Sequence, residues 1–214
     1  MPSSERPRGR PRGFSEKAAL EGAMRTFWAS GYDGTSVDML CKATQMSRAS
    51  LYQGYGDKSG LFLAAIAHYV ETRVSSVSDA LGPHGSLHDD LTKFFAEVVR
   101  LATSDPETPG CLVSCVLADV AGRNETFRNE LDQRFLALEA RIANRLREAD
   151  WPEIAEVPPS VAAGLVGSIA RGIMVRARSK IPSSELVSVA EAAVAALVHL
   201  YKVGSTDKLQ SPRD

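Results

Sequence analysis

TSVDMLCKATQMSRASLYQGYGDK, residues 35–58, holds two short helical patterns separated by a tight break. Thr35 with Asp38 three residues on reads as an N-cap and a partial capping box. Val37, Leu40 and Cys41 then recur at helical spacing, and the pattern lapses over residues 43–46. Ser47 caps a second helix from Arg48 to about Gln53. Isolated helices below roughly 12–15 residues are marginal, so this one must be held by its neighbours. Leu51 points inward, while Ser47, Arg48, Ala49, Ser50, Tyr52 and Gln53 make up the outward arc. A buried first helix, a turn and a polar second helix form a helix-turn-helix, a unit that lays its second helix in the major groove of DNA.

Composition is consistent with such a unit at one end of a larger protein. The 214 residues are 44% apolar and suffice for one medium or two small domains with a real core. No uninterrupted apolar run approaches the ~20 residues of a membrane span, and the Arg- and Pro-rich start lacks an apolar secretory stretch. Three cysteines, Cys41, Cys111 and Cys115, cannot all pair, which points to a reducing cytoplasm and no membrane partner. The net charge of −1 is unevenly spread: residues 1–56 hold eight Lys/Arg against five Asp/Glu, leaving +3 in front and −4 behind. A basic front suits a chain that meets phosphate with one end.

Several elements in order and spacing also resemble a known family. Thr35-Ser36-Val37, Met46-Ser47-Arg48 and Leu51-Tyr52-x-x-Tyr55-Gly56-Asp57-Lys58, preceded by Phe27-x-x-x-Gly31-Tyr32, are similar to the N-terminal domain of the tetracycline-repressor (TetR) family of bacterial regulators. The resemblance spans about residues 15–70. It departs at Gln45, where that family usually has Gly, and at Tyr55, where Phe is commoner. It implies a ligand-responsive homodimeric transcription factor, most often a repressor released from a near-palindromic operator by a small inducer.

The rest of the chain reads as helices throughout, about nine in all, with no strand pattern and no repeat. The expected fold is all-α: an N-terminal three-helix helix-turn-helix head, residues 14–60, and a helical effector-binding and dimerisation domain, residues 61–204. Residues 1–13 and 205–214 are expected to be disordered tails. Arg8, Arg10 and Arg12 in the first tail suit a minor-groove arm, since Arg enters narrow A·T grooves and Pro keeps a strand extended. In the head, a helix from Ser15 to about Ser30 buries Leu20, Ala23, Met24 and Phe27, and Gly31 ends it. Asp57 begins a longer helix to about Leu81, with Lys58 in a first turn whose free N–H groups attract phosphate.

Specific roles follow. Arg48 suits guanine O6/N7 and Gln53 suits adenine, while Thr35, Ser36, Tyr52, Tyr55 and Lys58 are expected to hold phosphates and set register. The last two helices, 160–180 and 183–203, are the expected dimer surface, with Gly164, Gly167, Arg171, Val189, Ala193, Leu197 and Leu200 at the contact. By resemblance, the helices between head and dimer surface enclose an inducer pocket. Its candidate lining is aromatic and sulfur-containing: Phe94, Phe95, Cys111, Cys115, Phe127, Phe135, Trp151 and Met174. Glycine followed by cysteine at 110–111 recurs in one branch of the family, and some relatives sense oxidants or electrophiles through a cysteine. Cys111, near a helix start, is therefore a candidate reactive thiol, set against the simpler reading of a buried apolar cysteine.

His84, His88, Asp89 and Asp90 cluster but read as a solvated loop rather than a metal site. No phosphate loop, nucleophile elbow or Cys-x-x-Cys pair is present, so neither cofactor nor catalysis is expected. Three other readings stay open: a helical ligand-binding protein without DNA binding, a thiol-based redox regulator, and an activator or architectural DNA protein.

Overall fold

A computed structural model describes residues 15–151 and 157–210, with side chains described as far as Tyr201. The described residues are helical, without strands. The head comprises α1 (Glu16–Gly34), α2 (Val37–Thr44) and α3 (Arg48–Tyr55). α4 (Lys58–Tyr69) runs through a π-helical turn, Val70–Val74, into α5 (Ser75–Ala80). The body adds α6 (Leu87–Thr103), a second π-helical turn, Leu112–Leu117, leading into α7 (Ala118–Ala121), and then α8 (Glu125–Glu148), α9 (Pro159–Arg178) and α10 (Ser183–Gln210).

Helix starts follow the capping residues. Ser15, Ser47, Asp57, Ser86 and Asn124 each accept a backbone N–H from three residues on. Thr35 does not. It is 1% exposed and donates its hydroxyl to the Gly31 carbonyl at 2.6 Å, while Ser36 is the cap of α2. α9 starts at Pro159, before Ser160, because proline fits the first helical position, where no N–H is needed. α10 does not stop at Val203. Its backbone stays helical through Gly204 to Gln210, since one glycine costs a helix only ~1 kcal/mol relative to alanine.

The core is continuous from head to body. Phe27, Phe62, Tyr32 and Phe127 form an aromatic cluster with ring centroids 4.8–5.2 Å apart around Phe62. Burying each of the three phenylalanines contributes about 1.5–3 kcal/mol, so α1, α4 and α8 are bound tightly at this joint. Trp28 and Tyr69 pack edge to face beside it, 4.9 Å apart. At the far end, Asp90 (0% exposed) pairs with Arg145 (6%) at 2.7 Å. That buried pair also accepts the His84 N–H and donates to the Gly85 carbonyl, pinning the α5–α6 loop.

α9 and α10 are each long and apolar enough to cross a membrane by length and composition, although no uninterrupted apolar run in the sequence reaches that length. Here both are packed helices: α9 lies against α8 and α6, and α10 against α6 and α9.

Candidate nucleic-acid interface and ligand cavity

α3 is carried by neighbours that approach very closely. A Cβ at Gly22 of α1 would lie 2.5 Å from the Ala43 carbonyl oxygen of α2, and one at Gly60 of α4 would collide with the Tyr55 carbonyl that ends α3. Only glycine lets these backbones meet. Leu51 anchors α3 from beneath with no exposure, leaving Ser47, Arg48, Ala49, Ser50, Tyr52 and Gln53 exposed together. Gln45 forms the turn itself in the left-handed region (φ 57°). A side chain in that region costs about 1–2 kcal/mol.

The polar residues around α3 are held in defined positions. Arg48 donates from Nε and Nη2 to Asp38 Oδ1 at 3.1 and 2.8 Å, bridging α3 to α2. Lys58 places its ammonium 4.3 Å from the centre of the Tyr32 ring, and the Tyr32 hydroxyl lies 2.8 Å from Ser59 Oγ. Tyr55 is half-buried; burial, then the negative charge of Glu16, raise its phenol pKa, so it remains an O–H donor at neutral pH. Ser36 is exposed, but its side chain caps α2. Thr35 has no free hydroxyl to offer a phosphate and is withdrawn from the expected set, its role being to close the α1–α2 corner. Arg8, Arg10 and Arg12 lie outside the described residues.

The candidate pocket residues do not converge. Phe94 is buried in the core, Phe127 belongs to the head–body aromatic cluster, and Trp151 packs on Tyr201 with its indole N–H donated to Val157 O. Phe95 borders a separate surface groove between α6 and α10. Cys115 points its thiol toward the Met174 carbonyl, 3.9 Å away. Only Cys111, Phe135 and Met174 line a common cavity, of about 290 Å³. Aromatic content was a poor guide because core and cavity walls use the same side chains.

That cavity is bounded by both π-helical turns. Val70 and Val74 come from the first, Val113 and Ser114 from the second, with α8 and α9 opposite. π-helical turns inside helices recur at functional sites. The first of them also reaches the head, because Arg73 donates to Glu21 of α1 at 2.9 Å and His68 Nε2 lies 3.4 Å from the same carboxylate. Sequence reasoning missed Arg134 and Arg141, which line the cavity beside Leu138. The signal was present in their spacing, two turns apart on the face of α8 that carries Leu138.

The expected dimer residues are only partly on the surface. Gly167, Ala193 and Leu197 are buried within the chain, and Arg171 turns toward α8, paired with Glu139 at 2.9 Å. The large apolar residues that α9 exposes are Val161, Leu165 and Val175, and α10 exposes Val187, Ala192, Ala195 and Ala196. The periodic stripe of α10 marked its core face, and the outward face is the less hydrophobic one. All three cysteines are free, and burial is the main influence holding the Cys115 thiol above its usual pKa, so it stays protonated at neutral pH. No group of three metal-ligating side chains assembles among the described residues.

Comparison with known proteins adds three findings. The profile described as "Bacterial regulatory proteins, tetR family" matches residues 19–65, the head and the start of α4. The HTH-type transcriptional repressor ComR of Escherichia coli (strain K12) is 28% identical over 191 residues, covering 86% of this chain and 89% of that protein. The solved structure of the TetR family transcriptional regulator CifR, a cysteine mutant complexed with 26-bp double-strand operator DNA, superposes with a TM-score of 0.78 at 30% identity, over 87% of this chain and 99% of that one. At 18% identity, SCO4454 from Streptomyces coelicolor shares the fold, with a TM-score of 0.72.

Proposed function

This chain belongs to the TetR family of bacterial regulators, and from that premise we propose that it is a homodimeric transcriptional repressor that leaves its operator when a small molecule fills the body cavity. The observation that carries the reading is the placement of α3: a helix too short to stand alone, braced by α2 and α4, with its polar arc exposed. Arg48 and Gln53 read bases, and Ser36, Tyr52, Tyr55 and Lys58 hold phosphates. The arm with Arg8, Arg10 and Arg12 adds salt-sensitive affinity. The similarity to ComR, a transcriptional repressor, and to CifR, a regulator solved in complex with operator DNA, supports the same role.

Two copies joined through the exposed faces of α9 and α10 present two α3 helices to successive major grooves. The cavity supports ligand response because one of its walls, the 70–74 turn, also holds α1 of the head through Arg73. A ligand shifts the balance by its differential affinity for the two head positions. The setting is cytoplasmic and the activity is non-enzymatic.

The test is selection of bound fragments from genomic DNA, followed by light scattering and titration of the purified protein on the recovered site. A two-to-one complex with a near-palindromic sequence is expected. A monomer with intact fold, or binding indifferent to sequence, would remove the repressor reading.

A further inference from the structure

The charged side chains that line the cavity are all of one sign. They are Arg134, Arg141 and Arg171; Cys111, Ser78 and Ser114 add a thiol and two hydroxyls, and no carboxylate lines the cavity among the described residues. The acids that pair with these arginines, Glu130, Asp79 and Glu139, stand outside the lining. Arg171 is committed, with Nη1 on Glu139, Nη2 on Ser168 and its guanidinium over the Phe135 ring at 4.4 Å. Arg134 spends Nε and Nη2 on a single oxygen of Glu130, at 2.8 and 2.7 Å. Arg141 gives Nε to the Ser78 carbonyl at 2.9 Å and reaches Asp79 at only 3.4 Å. The Nη1 groups of Arg134 and Arg141 therefore have no protein acceptor among the described residues.

From this asymmetry we propose that the cavity takes a small molecule with an apolar body and one anionic group, the anion seated against Arg134 and Arg141. The inference rests on the cavity being the ligand site of the proposed repressor. The walls, Val70, Val74, Val98, Leu101, Leu138 and Met174, suit hydrocarbon. A volume of about 290 Å³ lies at the lower edge of the ~300–1,000 Å³ range of ligand pockets, which limits the body to a short chain or one to two rings. A purely apolar guest would strip water from the unpaired guanidinium donors without replacing it. A cation would meet three guanidiniums and no carboxylate. An anion supplies the missing acceptor, and charge-assisted bonds to Arg are the strong kind.

The full-length protein is titrated with 1-aminonaphthalene, a neutral two-ring fluorescent probe, which is then displaced by octanoate, 1-octanol or octylammonium. Two blocking variants, Ala170→Phe at the cavity wall and Ala137→Trp at its exposed rim, locate the probe; the rim variant leaves the core untouched. Octanoate is expected to displace the probe at a concentration at least about ten-fold lower than octanol, with octylammonium weakest. Arg134→Gln combined with Arg141→Gln should bring octanoate down to octanol, and lysine at both positions should retain the preference. The proposal is overturned if octanol matches octanoate, if octylammonium binds best, if the preference survives the double glutamine variant, or if neither probe nor octanoate occupies the cavity. Octanoate preference without any effect on operator binding would uphold this inference while removing induction from the proposed function. Release of operator by octanol and octanoate alike would do the reverse.

Discussion

Arg73 Nη2 lies 2.9 Å from Glu21 Oε1, so the turn that walls the cavity is tied to the first helix of the head. Val70 and Val74, on either side of Arg73, face the cavity. Glu21 also receives Arg25 at 3.1 Å, which keeps the carboxylate in place for Arg73. With the two side chains 40% and 28% exposed, the pair contributes at most ~1 kcal/mol to folding. Its expected importance is in coupling. Arg73→Ala should leave chemical stability within about 1 kcal/mol of wild type, yet narrow the ratio between operator affinities with the cavity empty and filled. Fluorescence anisotropy on labelled operator, with and without saturating octanoate, measures that ratio. An unaltered ratio would show that the head is driven by another contact.

The Asp90–Arg145 pair sets an acid limit on stability. Burial alone would raise the Asp90 pKa, but the Arg145 hydrogen bonds and charge, together with the His84 and Gly85 backbone, lower it below the ordinary value. Asp90 therefore contributes stability that is fully present above the unfolded carboxylate pKa of about 3.9 and is lost as pH falls through the lower folded value. Asp90→Asn, which leaves Arg145 buried without its counter-charge, should cost about 3–5 kcal/mol at neutral pH. Urea melts of both proteins across pH 7 to 3 should show that gap shrinking only below pH ~4. A gap independent of pH would mean that the carboxylate charge is not what holds the loop.

Much of this architecture is legible in the residues because local chemistry and global packing agree. Ser15, Ser47 and Asp57 start the helices they were expected to start, and Leu51 is the inward anchor of α3. Thr35 and Ser36 are chemically equivalent caps one residue apart, and the choice between them is made by the Gly31 carbonyl, a tertiary partner. The cavity was not legible from aromatic content. Its position depends on two π-helical turns, where one extra residue per turn redirects Val70, Val74 and Val113, and no periodicity rule reports such an insertion. On α10 Leu186 and Leu197 mark the core face, but alanines stand on both faces, so only packing separates Ala193 from Ala192.

The α1–α2–α3 junction gives two opposite stability predictions. Gln45 is exposed in the left-handed region, so Gln45→Gly should stabilise the head by about 0.5–1 kcal/mol, the relief of strain less the extra chain entropy. Gly22→Ala pushes a methyl group to 2.5 Å from the Ala43 carbonyl oxygen and should destabilise by about 1–3 kcal/mol. Guanidinium melts followed by Trp28 fluorescence measure both. Equal stability of the alanine variant and wild type would mean that α1 and α2 are further apart than this packing has them.

Asp38 and Arg48 set the last prediction, because the residue expected to read guanine is already engaged. Arg48 spends Nε and Nη2 on Asp38, and that hydrogen bond, then the carboxylate charge, raise its pKa. The pair is exposed, at 60% and 76%, so it biases the guanidinium rather than locking it, and leaves Nη1 without a protein acceptor among the described residues. Asp38→Asn keeps the shape but removes the charge, so it should strengthen binding to all sequences by reducing repulsion from phosphate while loosening the aim of Arg48. Arg48→Ala should lower specific affinity by about 1–3 kcal/mol and flatten preference at one position of each half-site, whereas Lys58→Ala should weaken every sequence alike and reduce the salt slope by about one. Binding to the selected operator, to single-base variants and to random DNA at several salt concentrations separates these outcomes. Uniform weakening from Arg48→Ala would move it to the phosphate-holding set and leave Gln53 as the reader on α3.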